Sequence, residues 1–356
     1  MKVKMVNANP DVIEQIYFKR DWQKILKQRN NIRIPTDNPL TIDNYVHDQP
    51  DSIWEVIDRD GIKVHDNATY LSRIQEDPKS ILENPTDIFF VDRNIKKKYL
   101  SCNSGVLVNS QKLAPTIPLK AEWSISPKGG ECFSWGNVFR SDVLNRQIPS
   151  NALVLVDRYM FAKMGEGIQN LADIMESILP ATLNGDYHIL IISDHTTIKE
   201  DKKPLSPEEA ATRLQCIVPS LNRPYDIVFE IIMVERIPKK DLMTPEESAQ
   251  LSFYDDTHNR RIFSNYFIVS AEHGMNAVRT SKKGISVATY EQNIKFESIY
   301  AGVDNKFQDL NFLPIKRWDD FIRSVGIFIK GDSPLCHYFI NGIRGDIHNI
   351  KNRLIK

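Results

Sequence analysis

Three uninterrupted apolar runs organise the middle of the chain: NALVLV at residues 151–156, YHILIIS at 187–193 and YDIVFEIIMV at 225–234. Apolar residues at both odd and even positions fit strands covered on both faces. Between the first two runs, Ile168, Leu171, Ile174, Met175 and Ile178 fall at helical intervals, and Pro180 ends that pattern. Between the second and third, SPEEAATRLQ offers Ser206 as a helix cap, Pro207 at the first helical position and acidic residues in the first turn. Strand, helix, strand, helix, strand predicts a mainly parallel sheet with right-handed crossovers and flanking helices. Ligands of such sheets gather beyond the C-terminal strand ends. The residues there are Asp157, Arg158 and Tyr159 after the first run, and Ser193, Asp194 and His195 at the end of the second.

Elsewhere the pattern is less regular. DVIEQIYFKRDWQKILKQRN (11–30) reads as a helix, and the proline-broken IRIPTDNPLTIDNYVHDQPDS (32–52) as loop. TDIFFVDRN and SCNSGVLVNS each hold a short strand, and TPEESAQL (244–251) fits a further helical turn. Prolines and the pair Gly129-Gly130 mark a transition before residue 150. The expected organisation is an N-terminal α+β domain over 1–140, an α/β domain over 141–285, and a C-terminal extension over 286–356 packing on that core.

Composition narrows the function classes. Of 356 residues, 46 are basic and 46 acidic, so no global field draws the chain to nucleic acid or to an anionic membrane, and any such contact needs a local patch. One candidate patch is DRNIKKKY (92–99). Cys102, Cys132, Cys216 and Cys336 form no C-x-x-C pair, which disfavours a zinc ribbon and fits four reduced, mostly buried thiols. No apolar run approaches the roughly 20 residues of a membrane span, and the first residues lack a signal-peptide core, so a cytoplasmic protein is expected. No Walker loop or G-x-G-x-x-G is present. Two glycines in KMGEGIQN (163–170) fit a flexible turn better than an anion cradle. KAEWSI puts Lys120 before Glu122, the wrong order for a magnesium nuclease, so neither metal nor cofactor is expected.

The stretch THNRRIFSNYFIVSAEHGMN (257–276) carries the most chemistry. Asn265 lies between two apolar segments, where its tolerance of left-handed backbone suits a hairpin turn. That leaves His258 and Arg260 unexplained: two apart, they share one face of an extended strand. His258-x-Arg260-x(4)-Asn265, followed by Gly274-x-Asn276, resembles the phospholipase D superfamily motif H-x-K-x(4)-D with its later glycine and asparagine element. The arginine and asparagine variant is similar to the phospholipase D-like domain at the carboxyl end of proteins bearing a microtubule-interacting-and-trafficking domain, and to prokaryotic relatives in conflict systems. The resemblance covers residues 151–283, roughly a third of the chain.

In working members, the resemblance implies, the histidine attacks phosphorus while the lysine and asparagine hold phosphate oxygens, and a second motif completes the site from the same chain or a dimer partner. Here Arg260 and Asn265 replace the lysine and aspartate, and no second H-x-K or H-x-R follows: DHTTIKED at His195 and CHYFING at His337 both fail. The expectation is therefore a non-catalytic binding or assembly subunit, contacting phosphates of nucleic acid or peripheral anionic lipid within a bacterial, defence-type multi-protein system. Its phosphate-binding residues would be His258, Arg260, Asn265, Asp157, Arg158 and Ser193. The alternative is a metal-independent phosphodiesterase or nuclease, active as a homodimer through His258, Arg260 and Asn276.

Overall fold

The computed structural model describes residues 6–8, 31–34, 53–60, 63–66, 76–77, 88–92, 105–109, 120–128, 132–140, 150–235, 244, 260–280, 286–298, 314–330 and 336–355. His258, Cys102, the helix expected over 11–30, most of the basic cluster after Asp92 and the turn after Thr244 lie outside them.

The first five strands are β1 (Val6–Ala8), β2 (Asn31–Ile34), β3 (Lys63–Asp66), β4 (Ile88–Asp92) and β5 (Gly105–Asn109), with helix α1 (Ile53–Arg59) between β2 and β3 in sequence. They form one sheet in the order β3-β2-β1-β4-β5, and every pairing is parallel. The described strands of the N-terminal part thus make a parallel sheet, and Ile32, Arg33 and Ile34, read from sequence as loop, form part of β2. The prolines that suggested a loop begin only after that strand.

A second, nine-stranded sheet begins with β6 (Lys120–Ile125), which precedes the short helix α2 (Gly136–Phe139). Next come β7 (Ala152–Val156), α3 (Met164–Ile178), β8 (Tyr187–Asp194), the exposed ribbon of β9 (Lys199–Glu200) and β10 (Lys203–Pro204), α4 (Pro207–Gln215), α5 (Ile217–Ser220) and β11 (Ile227–Val234). Strands β12 (Arg261–Ser264) and β13 (Phe267–Ala271) form a hairpin. They lead to the ribbon of β14 (Val278–Thr280) and β15 (Ser286–Ala288), then to β16 (Gln292–Ser298). Helix α6 (Pro314–Lys330), β17 (Cys336–Ile340) and β18 (Ile343–Arg344) complete the fold.

Sheet order is β18-β17-β11-β8-β7-β12-β13-β16-β6. The three apolar runs are its parallel centre: β7 pairs with β8, and β8 with β11. Every other pairing is antiparallel, so the sheet is mixed rather than mainly parallel. Short turns join β12 to β13 and β17 to β18, whereas β12, β17 and β6 reach β7, β11 and β16 from distant parts of the chain. Strands are drawn from Lys120 to Arg344, across the boundaries expected at 140 and 285.

Both faces of the centre are buried. On one, Leu153, Leu155, Ile189, Ile191, Phe229 and Ile231 join Leu171, Ile174 and Met175 of α3 and Ala210, Ala211 and Leu214 of α4 in a single apolar cluster. Helix α4 starts at the expected cap: Ser206 Oγ accepts from the Glu209 amide at 3.2 Å, and the Glu209 carboxylate accepts from the Ser206 amide at 2.9 Å. On the opposite face the register aligns Phe263, Val154, Leu190 and Glu230 in one cross-strand row. Elements after β16 cover that row. Phe321 of α6 stacks on Phe263 with ring centroids 3.8 Å apart, and Trp318 Nε1 donates to the Ser264 carbonyl at 2.8 Å. The last residues cross all three central strands. The Lys351 amide donates to Glu230 Oε1 on β11 at 2.6 Å, the Lys351 carbonyl meets His188 Nδ1 on β8 at 2.8 Å, and Asn352 Nδ2 donates to the Leu153 carbonyl on β7 at 3.0 Å.

Candidate functional site

Strand β7 ends at Val156, opposite Arg261 at the start of β12. The C-terminal end of the parallel strands and the entry to the hairpin therefore meet at one pole of the sheet. Asp157, the next residue, is 1% exposed. Its Oδ1 accepts from the Tyr159 amide at 2.8 Å and its Oδ2 from the Met275 amide at 2.6 Å. Burial pushes this carboxyl above its ordinary range; the Met275 and Tyr159 amides and the Arg260 charge pull it back. Ser193 Oγ, also buried, donates to the Asp157 carbonyl at 2.9 Å. Both groups fix backbone, tying β7 to β8 and to the loop after β13.

The cations lie outside this buried layer. Arg158 Nε pairs with Asp194 Oδ2 at 3.1 Å, and Asp194 in turn caps the turn that follows through the Thr196 amide at 2.8 Å. Arg260 Nη1 donates to the Glu272 carbonyl at 3.0 Å, while its buried Nε has no hydrogen-bond partner among the described residues. The two guanidinium carbons stand 5.5 Å (Arg158) and 5.9 Å (Arg260) from the centre of the Tyr159 ring. Gly274 makes this approach possible. Its φ is +108°, and a Cβ there would fall 2.8 Å from Asp157 Oδ2 and 3.4 Å from Arg260 Cδ.

Asp157, Arg158, Ser193 and Arg260 thus share one pole. Asn265 does not. Strand β12 runs antiparallel to β7, with Arg261 against Val156 and Ser264 against Leu153. Arg260 and Asn265 consequently sit at opposite ends of the strand, five residues or roughly 17 Å apart, too far to hold one phosphate. Asn265 is buried, and its Oδ1 accepts from the Asn151 and Ala152 amides at 3.0 and 3.1 Å, while Nδ2 donates to Asn151 Oδ1 at 2.9 Å. Nor is its φ positive, so its place in the turn rests on its carboxamide, not on left-handed backbone. Asn276 turns toward α3, where its Oδ1 accepts from buried Asn170 Nδ2 at 2.6 Å. Gly165 and Gly167 both lie inside α3, and a Cβ on Gly167 would fall 2.5 Å from the Met160 carbonyl oxygen, so close packing accounts for that glycine.

No protein-family model matches the chain, and no curated protein matches it.

Among the described residues, no group of three or more His, Cys, Asp or Glu could hold a metal ion, and no helix is long and apolar enough to cross a membrane. Cys132 and Cys216 are exposed thiols and Cys336 is half-buried, so the expectation of mostly buried thiols does not hold for these three. His195 and His337 are both engaged: His195 Nε2 meets the Leu205 carbonyl at 3.0 Å, and His337 Nε2 meets Glu235 at 2.9 Å. Sequence reasoning missed His273 and Tyr290, whose rings lie 6.2 Å apart. They reach the pole only through the register of β13 with β16, which sets Ala271 against Ile294. The one local signal was His273 directly before Gly274.

Proposed function

We propose that this chain is a phospholipase D-like binding subunit that holds a phosphate group without hydrolysing it, as a cytoplasmic part of a larger protein assembly. The convergence of Arg158 and Arg260 on Tyr159, at the C-terminal ends of the central strands, carries this reading. Guanidinium groups present planar donor forks that match phosphate oxygens. The unmet Nε of Arg260 gives that side chain a reason to prefer an anion beside it. In sequence His258 is two residues from Arg260, so an imidazole belongs to the same segment.

Hydrolysis would also need an acid to protonate the leaving oxygen. Asp157 is a poor choice, because it is buried and both its oxygens accept backbone amides. His195 and His337 are committed to other partners. The second reading, a dimeric phosphodiesterase, rests on His258 alone.

Calorimetric titration with pyrophosphate tests the proposal. Arg260→Ala should weaken binding by roughly tenfold or more, since a hydrogen bond to a charged group contributes about 1.5–3 kcal/mol. Arg260→Lys should fall between, and thermal melts would identify any loss due to unfolding. Unaltered pyrophosphate binding in folded Arg260→Ala and Arg158→Ala proteins would remove the proposal. Metal-independent hydrolysis of bis-p-nitrophenyl phosphate that disappears in His258→Ala would replace it with the enzyme reading.

A further inference from the structure

We infer that the phosphate held at this pole belongs to single-stranded nucleic acid, with one base against Tyr159 and another against Tyr290; the inference rests on the phosphate-binding reading above. Among the described residues the large exposed apolar side chains are Tyr159, at 44%, Tyr290, at 52%, Ile327 and Ile343. Both aromatic ones stand at the same pole. Tyr159 follows the end of β7, and Tyr290 precedes the start of β16. The sheet order between them is β7-β12-β13-β16, so three interstrand steps of about 4.8 Å separate the two positions by roughly 14 Å.

Cations and rings alternate along that line. The Arg158 and Arg260 guanidinium carbons lie 5.5 and 5.9 Å from the Tyr159 ring centre, the His273 ring adjoins Tyr290, and Lys128 follows β6, whose end pairs with the start of β16. Among the described residues, the acidic groups along this line each have a partner. Asp194 holds Arg158, Glu291 lies 3.7 Å from Lys128, and the Glu272 carboxylate accepts from the Asn293 amide at 3.0 Å.

A free phosphate gives no reason for two exposed rings beside the cations, and a chain with 46 basic and 46 acidic residues carries no overall field toward an anionic lipid surface. A duplex keeps its base faces stacked inward. Unpaired bases offer the faces that tyrosine rings accept, and their phosphates offer the charge that arginines accept. Stacking does not discriminate strongly among bases, so this surface should bind strands with little sequence preference.

Fluorescence anisotropy on the full chain can decide the matter with a short thymidine oligomer, an abasic oligomer of equal length, a duplex and phosphatidylserine vesicles. The thymidine oligomer should bind roughly 5- to 100-fold more tightly than the abasic one. Tyr159→Ala and Tyr290→Ala should each reduce that ratio, and Tyr159→Phe should keep it. Equal affinity for thymidine and abasic oligomers, or an unchanged ratio in both alanine variants, overturns the inference while pyrophosphate binding leaves the phosphate reading intact. Vesicle binding without oligomer binding overturns it in favour of lipid. If neither pyrophosphate nor any oligomer binds, both readings fall together.

Discussion

Asn265→Ala should be among the most damaging single changes in the nine-stranded sheet. The side chain has one acceptor atom facing two buried backbone donors, the amides of Asn151 and Ala152. Those two donors also identify the atom as oxygen. Alanine leaves both amides without that acceptor at the entry to β7, where burial leaves little room for water. At about 1–3 kcal/mol for each unmet buried group, the loss is about 2–6 kcal/mol, a large share of the 5–15 kcal/mol typical of a folded domain. Asn265→Asp keeps the acceptor. The facing Asn151 carboxamide, now bonded at 2.9 Å, can rotate to present its own donor, so this change should cost only about 1 kcal/mol. Urea titration followed by tryptophan fluorescence is the natural assay, because Trp318 Nε1 donates to the Ser264 carbonyl beside the same turn. Loss of less than about 1 kcal/mol in the alanine variant would refute the accounting. Equal damage from aspartate would show that shape, not acceptor count, governs the site.

Two further outcomes follow from buried groups. Burial raises the Glu230 carboxyl above its ordinary range, against the pull of the Lys351 amide and Tyr338 hydroxyl, and its Oε2 is buried without a partner. A raised folded-state pKa means stability that is complete below the unfolded carboxylate value, about 4.3, and is lost as pH rises through the folded value. Glu230→Gln should therefore gain on the natural chain as pH increases from 4 toward 8; parallel urea midpoints across that range would contradict it. Gly274→Ala should destabilise by about 1–3 kcal/mol, from left-handed backbone and a Cβ 2.8 Å from Asp157 Oδ2, and should weaken pyrophosphate binding; a neutral thermal melt would show that the loop relaxes freely.

The central strands and helices α3 and α4 were legible because each carries a local signal: a continuous apolar run, a helical period, or a Ser206 cap. Strands β6 and β16 carry only the weaker alternating signal, Ala121, Trp123 and Ile125 in one and Ile294 and Phe296 in the other, and β17 pairs with β11 about a hundred residues earlier. KAEWSI is half exposed, and its alternation is short enough that its pairing with β16 fixes it as a strand. The five-stranded N-terminal sheet was half legible: β4 and β5 have apolar runs, whereas β1 and β2 are three and four residues long. Asp157, Arg158, Ser193 and Arg260 were drawn to one pole by the rule for strand ends and the histidine motif, and they do stand together there. The same motif misled over Asn265, because spacing along a strand does not say which pole a side chain reaches.

The cover over the second face of the sheet also has a consequence for biosynthesis. Strand β6 must wait for β16, whose pairing runs from Gln292 to Glu297, and the row of Val154, Leu190 and Glu230 waits for residues up to Lys351. At about 5–20 residues per second, a ribosome needs roughly ten to fifty seconds between Lys120 and Ile350. During that interval the parallel centre can close only on its α3 and α4 side, leaving an apolar surface open to the nascent chain's surroundings. Folding in the cell should therefore be slow and dependent on chaperones, and a ribosome stalled before α6 should leave a product that associates through the face later sealed by Phe321 and Asn352.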